Sequence, residues 1–295
     1  MEELTGRVAF ITGGASGIGL GIARACAEAG MRVALADVRR DHLDEAGALF
    51  SDGVAHPIEL DVTDRAAYAA AADEAERVLG PIALLVNNAG VGILGSLEDA
   101  GYDDWDWGLG VNLGGVVNGL QTVVPRMRGR GEGHVVTTSS MAAVVPIPGA
   151  AIYVTAKAAV MGLMESVRPE LAKAGIGASI LFPGPVKTNI RESGRLRPDR
   201  FKRDTGYAEF ERDMAERPDD DVWMDPLECG RRVLDGVRRD DLYILTHREF
   251  REGAQERCDA IVASFPDEEI DSERAERIGF LTSNPMYRDL LGRTR

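Results

Sequence analysis

Six short apolar runs, each followed by a segment long enough for a helix, fill the first 190 residues, and this alternation leaves the chain few ways to fold. The runs lie at 8–11, 33–36, 57–60, 82–86, 134–138 and 178–182. Ile82-Ala83-Leu84-Leu85-Val86 is apolar throughout, as a strand must be when helices cover both faces of its sheet. Helical segments run to about Ala29, onward from Asp41, from Asp64 to Leu79, and from about Ala151 to Ala174. Strand-then-helix units in series predict an α/β fold with a doubly wound parallel sheet and helices on both faces. A helix opening at Pro226 and an apolar run at 242–245 predict a seventh strand in that sheet.

Composition changes near residue 190. The first 190 residues hold 36 charged side chains and the last 105 hold 46. The expectation is one domain over 1–295, with a substrate lid at 190–215 and a charged C-terminal extension at 246–295. With 34 Lys and Arg against 48 Asp and Glu the net charge is -14, a field that repels phosphate. Nucleic acid and anionic membranes are therefore poor partners. Cys26, Cys229 and Cys258 are scattered and the four histidines have no ligand spacing, so neither a disulfide framework nor a metal site is expected. No signal peptide fits the acidic start and no run of about 18 apolar residues occurs, which reads as a cytoplasmic protein.

The first strand runs into Thr12-Gly13-Gly14-Ala15-Ser16-Gly17-Ile18-Gly19. Glycines let the backbone approach a pyrophosphate, and the free N–H groups of the following helix attract its charge. The spacing is not GxGxxG and alone is a weak signal, with a structural turn that holds no ligand as the alternative. Asp37, 18 residues after Gly19 at the end of the second strand, can accept from adenosine ribose hydroxyls and repels a 2′-phosphate, so NAD is favoured over NADP. Arg39 and Arg40 argue the other way, since either can pair with that phosphate.

Tyr153 and Lys157 lie four apart on one helix face, and Ser140 precedes Tyr153 by 13 residues. An ammonium near a phenol stabilises phenolate, which can take a proton from an alcohol or, as the phenol, give one to a carbonyl. Alone the pair could sit on the surface. Together with Thr12–Gly19, Asp37, Asp61-Val62, Asn87-Asn88-Ala89-Gly90, Asn112 and Pro183-Gly184-Pro185-Val186-Lys187-Thr188, it makes a chain that resembles the short-chain dehydrogenase/reductase family over residues 5 to about 190.

The resemblance implies a Rossmann-like fold and roles for the matching positions. Tyr153 is the general acid/base, Lys157 lowers its pKa and binds the nicotinamide ribose, Ser140 bonds the substrate oxygen, and Asn112 holds a relay water. Asp61 and Val62 flank the adenine, Asn88, Ala89 and Gly90 line the cofactor cleft, and Pro183, Gly184, Val186 and Thr188 lie toward the carboxamide. A homodimer or homotetramer through the Tyr153 helix and the long helix before it is also implied. From Tyr102-Asp103-Asp104-Trp105-Asp106-Trp107 through Asn118-Gly119, at 193–198 and in the long tail, the chain is similar to a subgroup containing bacterial dehydrogenases that oxidise benzylic alcohols of lignin-type aryl ethers. The segments 91–94 and 141–148 are apolar, which favours a neutral, hydrophobic or aromatic secondary alcohol or ketone. Arg191, Arg195 and Arg197 could add positive charge at the rim. An NADP-dependent carbonyl reductase and a nucleotide-sensing protein without turnover are the alternatives. Two oddities remain: the glycine-rich Trp107–Gly115, costly in a helix interior, and Pro169 inside the Tyr153 helix.

Overall fold

A computed structural model describes residues 1, 3–202, 206–216 and 221–292. Its strands are β1 (Val8–Thr12), β2 (Arg32–Asp37), β3 (Ala55–Glu59), β4 (Ile82–Asn87), β5 (Gly133–Thr138), β6 (Ile176–Phe182) and β7 (Tyr243–Leu245). Between them run α1 (Gly17–Glu28), α2 (Arg40–Gly47), α3 (Arg65–Leu79), α4 (Tyr102–Leu109), α5 (Gly115–Arg130), α6 (Met141–Val144), α7 (Ala151–Lys173), α8 (Gly206–Ala215) and α9 (Pro226–Arg239). Local chemistry sets the boundaries. Asp64 accepts from the N–H groups of Ala66 and Ala67 to start α3, and Asp225 caps α9 with proline in its first turn. Pro169 does not end α7, which continues to Lys173.

All seven strands are parallel, in the order β3-β2-β1-β4-β5-β6-β7. β1 and β4 are buried along their whole length, which explains their unbroken apolar sequences. The connections reverse direction between β1 and β4. A doubly wound sheet opens a crevice at the carboxyl ends of the strands at this point, and the candidate site lies there.

On one face α1 and α9 meet backbone to backbone. A Cβ built on Gly21 would lie 2.0 Å from the Pro226 carbonyl oxygen, and one on Gly230 would lie 2.3 Å from the Gly21 oxygen. Backbone cannot swing aside as a side-chain tip can. Gly21→Ala should therefore destabilise the fold by about 3 kcal/mol, read from chemical denaturation, and a loss below about 1 kcal/mol would show that the helices part easily.

At the other end of the sheet His134 is buried, and burial pushes its imidazole down to about 3. Its Nε2 lies 2.8 Å from Ser179 Oγ, and Asp240 is 3.8 Å from Nδ1. The trio has the composition of a hydrolase triad without its chemistry, because Ser179 is wholly buried and its hydroxyl donates to the Asp241 carbonyl at 2.6 Å. His134 is structural, as expected.

The chain divides into two compact units, Met1–Phe250 and Arg251–Arg295. The second unit contains α10 (Arg251–Ala263), α11 (Ser272–Ile278) and α12 (Pro285–Gly292), none with a buried residue. No helix among the described residues is long and apolar enough to cross a membrane.

Candidate active site

The turn after β1 is held from three directions. Thr12 Oγ1 accepts from the N–H groups of Asn88 and Ala89 at 3.0 and 3.1 Å, while the Asn88 amide donates to the Thr12 carbonyl at 3.1 Å. Asn88 Oδ1 accepts from Thr138 Oγ1 at 3.2 Å, so one side chain ties together the ends of β1, β4 and β5. Gly13 has φ +62°, and a Cβ there would lie 2.9 Å from Ala89 Cα. Only glycine fits such a position. Ser16 precedes α1 but makes no capping hydrogen bond, and the first turn of α1 carries no acidic side chain. The helix therefore presents open amides to the cleft, a suitable site for an anion.

Asp37 stands beside this turn. Its Oδ2 accepts from the Ala15 N–H at 3.2 Å and its Oδ1 from the Arg39 N–H at 3.1 Å. Asp61 accepts from the N–H and hydroxyl of Thr63 at 2.9 and 2.7 Å. Val62 packs on Gly115, where a Cβ would lie 2.6 Å from Val62 Cγ2, and the Val62 carbonyl accepts from Asn118 at 2.9 Å.

Tyr153 and Lys157 share one face of α7 where it passes the end of β5. Lys157 is buried, its Nζ 5.7 Å from the centre of the Tyr153 ring. That ammonium donates to the Thr138 carbonyl at 3.0 Å and has no hydrogen bond to the phenol. Burial lowers Lys157 to about 8 and raises Tyr153, with a hydrogen bond from Ser140 opposing the rise. Ser139 borders the cleft, but its hydroxyl donates to the Lys157 carbonyl at 2.7 Å. Ser140 caps α6 by accepting from Ala142 N–H at 3.1 Å, so its own proton can point to the phenol or to a substrate oxygen.

Asn112 lies behind the cleft wall. Its amide is used on both sides by Val91, accepting from that N–H at 2.8 Å and donating to that carbonyl at 2.9 Å. It sits in a single π-helical turn, Gly110–Gly114, joining α4 to α5. The glycine-rich stretch is thus explained by distortion and close packing together: Gly108 abuts Ile152 and Ile93, while Gly115 abuts Val62.

The cleft is lined by 14 of the expected residues, namely Gly13, Ser16, Gly17, Ile18, Asp37, Asp61, Val62, Asn88, Ala89, Gly90, Tyr153, Lys157, Pro183 and Thr188. Gly19, Gly184 and Val186 support it from behind. A Cβ on Gly19 would lie 2.0 Å from the Gly13 oxygen, one on Gly184 would meet the His247 ring, and Val186 is buried in the main core.

Val91 reaches the cleft, but Ile93 is wholly buried, and Met141, Ala142 and Ala143 are buried in α6 away from the lining. Trp107, Val111, Leu196 and Phe201 supply the apolar wall instead. Leu196 and Phe201 come from two short 3-10 turns, Asn189–Leu196 and Asp199–Phe201. Ser193 Oγ accepts from Gly92 N–H at 2.8 Å and donates to the Ile190 carbonyl at 2.6 Å. Tyr207, fully buried, donates to the Gly95 carbonyl at 3.1 Å. These are the described parts of the segment expected as a lid at 190–215; residues 203–205 of it lie outside the described residues.

The expected positive rim needs correction. Arg195 pairs with Glu192 at 2.9 Å, Arg191 stacks on Trp223 at 4.2 Å, and Arg197 is buried between two carboxylates. Ser193 opens the stretch 193–198 noted for its resemblance, but nothing in the sequence marks its hydroxyl as the partner of Gly92, and Tyr207 belongs to no motif.

A family model described as short chain dehydrogenase matches residues 7–198, which include all 14 expected residues that line the cleft. The chain belongs to the short-chain dehydrogenase family. It is 43% identical over 282 residues to a C alpha-dehydrogenase of Sphingobium sp. (strain NBRC 103272 / SYK-6), covering 94% of this chain and 92% of that protein. Among solved structures, the apo form of LigO from Sphingobium sp. strain SYK-6 aligns with a TM-score of 0.77 at 43% identity over 98% of this chain and 99% of that one. A short chain dehydrogenase/reductase from Burkholderia phymatum in complex with NAD aligns with a TM-score of 0.80 at 31% identity, over 92% and 100% of the two chains. This short-chain dehydrogenase is therefore an oxidoreductase. Its likeness to the C alpha-dehydrogenase extends well beyond residue 198, into the charged C-terminal part.

Proposed function

We propose that the protein is an NAD-dependent dehydrogenase of secondary alcohols whose carbinol carbon carries an apolar or aromatic group. The observation that carries this reading is that Tyr153 and buried Lys157 line a cleft whose far end is marked by open helix amides and Asp37, with Ser140 buried beside the phenol just outside the lining. The residues fit a dinucleotide: a glycine turn without side-chain bulk, an uncapped helix start for the pyrophosphate, and a carboxylate at the strand end for ribose hydroxyls. When bound, the nicotinamide ring supplies the acceptor for the hydride.

The remaining chemistry belongs to the chain. Tyr153 takes the hydroxyl proton as the carbinol hydrogen leaves, and Ser140 orients that oxygen. Lys157 is held by the Thr138 carbonyl with its charge close to the phenol, which favours phenolate electrostatically without a direct hydrogen bond. Val91, Trp107, Leu196 and Phe201 exclude water from the reacting atoms and favour an apolar substituent. The similarity to a C alpha-dehydrogenase supports an aryl carbinol in that role.

The preference for NAD rests on Asp37 and on what Arg39 does. The guanidinium of Arg39 is engaged by Asp41, its Nε donating to Oδ1 at 2.8 Å, and Arg40 pairs with Asp44 at 3.0 Å. To serve a 2′-phosphate, Arg39 would have to leave its partner while Asp37 repelled the same group. Asp37→Ala should lower kcat/KM for NAD about tenfold or more and raise it for NADP, narrowing the preference. A wild-type preference for NADP would overturn the assignment.

A panel of secondary alcohols, assayed for NADH formation with the purified protein, tests the activity itself. Aryl carbinols should be the best substrates. Tight NADH binding with no turnover of any alcohol or of the matching ketones would refute the enzymatic reading.

A further inference from the structure

One buried group of charges has no part in the chemistry above. Arg197, only 6% exposed, donates from Nη1 to Asp104 Oδ1 at 2.7 Å and from Nη2 to Glu211, with its Cζ 4.3 Å from the centre of the Trp107 ring. Its Nε is buried without a hydrogen-bond partner among the described residues. The four side chains come from three separate stretches: Asp104 and Trp107 from α4, Arg197 from the chain between the two 3-10 turns, and Glu211 from α8. Burying one guanidinium with two carboxylates carries a desolvation cost that an apolar contact of equal volume would avoid. What the charged group adds is direction. A planar fork gripped by carboxylates from two helices fixes the plane of the guanidinium, and with it the indole on which that plane rests. Trp107 borders the cleft, as do Leu196 and Pro198 on either side of Arg197, whereas Arg197 does not reach it.

We propose that Arg197 is a positioning residue for substrate choice. It holds Trp107 and the Leu196–Pro198 turn together as one wall of the alcohol pocket, so that a flat aromatic substituent on the carbinol carbon is taken in preference to a small aliphatic one. This rests on the reading of the site as an alcohol dehydrogenase.

The test compares the wild type with Arg197→Met, Arg197→Lys and Glu211→Gln. Three quantities are measured: NADH affinity by fluorescence titration, kcat/KM for 1-phenylethanol and for 2-butanol, and hydrogen exchange of residues 189–201 with NADH bound. In Arg197→Met, kcat/KM for the aryl alcohol should fall about tenfold or more, mainly through KM, with the 2-butanol value within about threefold. NADH affinity should stay within about twofold, since Arg197 lies outside the cleft lining, and exchange in 189–201 should be faster. Arg197→Lys should recover part of the selectivity, and Glu211→Gln should shift it the same way by a smaller factor. Equal losses for both alcohols, or unchanged selectivity and exchange in the folded variants, would overturn the proposal. If Arg197→Met fails to fold, Glu211→Gln and Arg197→Lys decide the same question. If the wild type oxidises neither alcohol, the functional reading is what fails, and the exchange measurement still decides whether Arg197 positions this wall.

Discussion

Tyr153→Phe should lower kcat for alcohol oxidation at least 100-fold while leaving NADH affinity within about twofold, because it deletes the proton acceptor and little else. The ring keeps its place on α7, and Ser140 keeps its bond from the Ala142 N–H at 3.1 Å. The pH dependence gives a second check. Burial holds the phenol above its ordinary value of 10, so at neutral pH the base form is a minority. Oxidation by the wild type should therefore quicken as pH rises from about 7 to about 9, and the residual rate of the Phe variant should not follow that rise. A variant retaining more than about a tenth of wild-type kcat would place the base elsewhere.

Lys157→Met should also abolish most turnover, by about 100-fold or more, but its effect on stability has an unusual sign. Burial lowers the ammonium from 10.5 to about 8. Below pH 8 the folded protein carries a buried charge that the unfolded chain leaves in water. Between about 8 and 10.5 the folded form releases its proton first, the unfolded chain binds more protons, and stability rises with pH. The wild type should therefore gain on the Met variant across that window, by up to about 3 kcal/mol. At pH 7 the variant should be nearly as stable as the wild type, or more stable, although the Thr138 carbonyl loses its donor. Chemical denaturation of both proteins at about pH 7 and about pH 10 measures this. Parallel pH dependences would show that Lys157 titrates near its ordinary value.

Much of this was legible in the sequence because the relevant constraints are local. Strands buried on both faces read as unbroken apolar runs, as 82–86 does, and Tyr153 with Lys157 needs only four residues of helix to share a face. The glycines around Asn112 stood out as costly in a helix, but the sequence left close packing and distortion equally open, and the contacts of Gly108 with Ile152 and of Gly115 with Val62 come from other elements. What stayed hidden depends on long separations. Arg197 reads as a rim charge until Asp104, 93 residues away, and Glu211 are brought to it. Tyr207 reads as one more residue of a charged segment, yet it is wholly buried against Gly95, 112 residues distant. Residues 141–148 look like pocket wall because they are apolar, but their first residues are buried in α6, and distant Trp107 and Phe201 take that place. Nothing local distinguishes an apolar residue facing a ligand from one facing a core.

The most direct test follows one hydrogen atom. The protein is given 1-phenylethanol deuterated at the carbinol carbon, together with NAD, and the reduced cofactor is analysed by mass spectrometry. Deuterium should pass from the carbinol to the nicotinamide ring, with acetophenone as the other product, and Tyr153→Phe should suppress its transfer about 100-fold. Reduced cofactor without deuterium, or transfer at an undiminished rate in the Phe variant, would contradict the assignment of this cleft to alcohol oxidation through Tyr153.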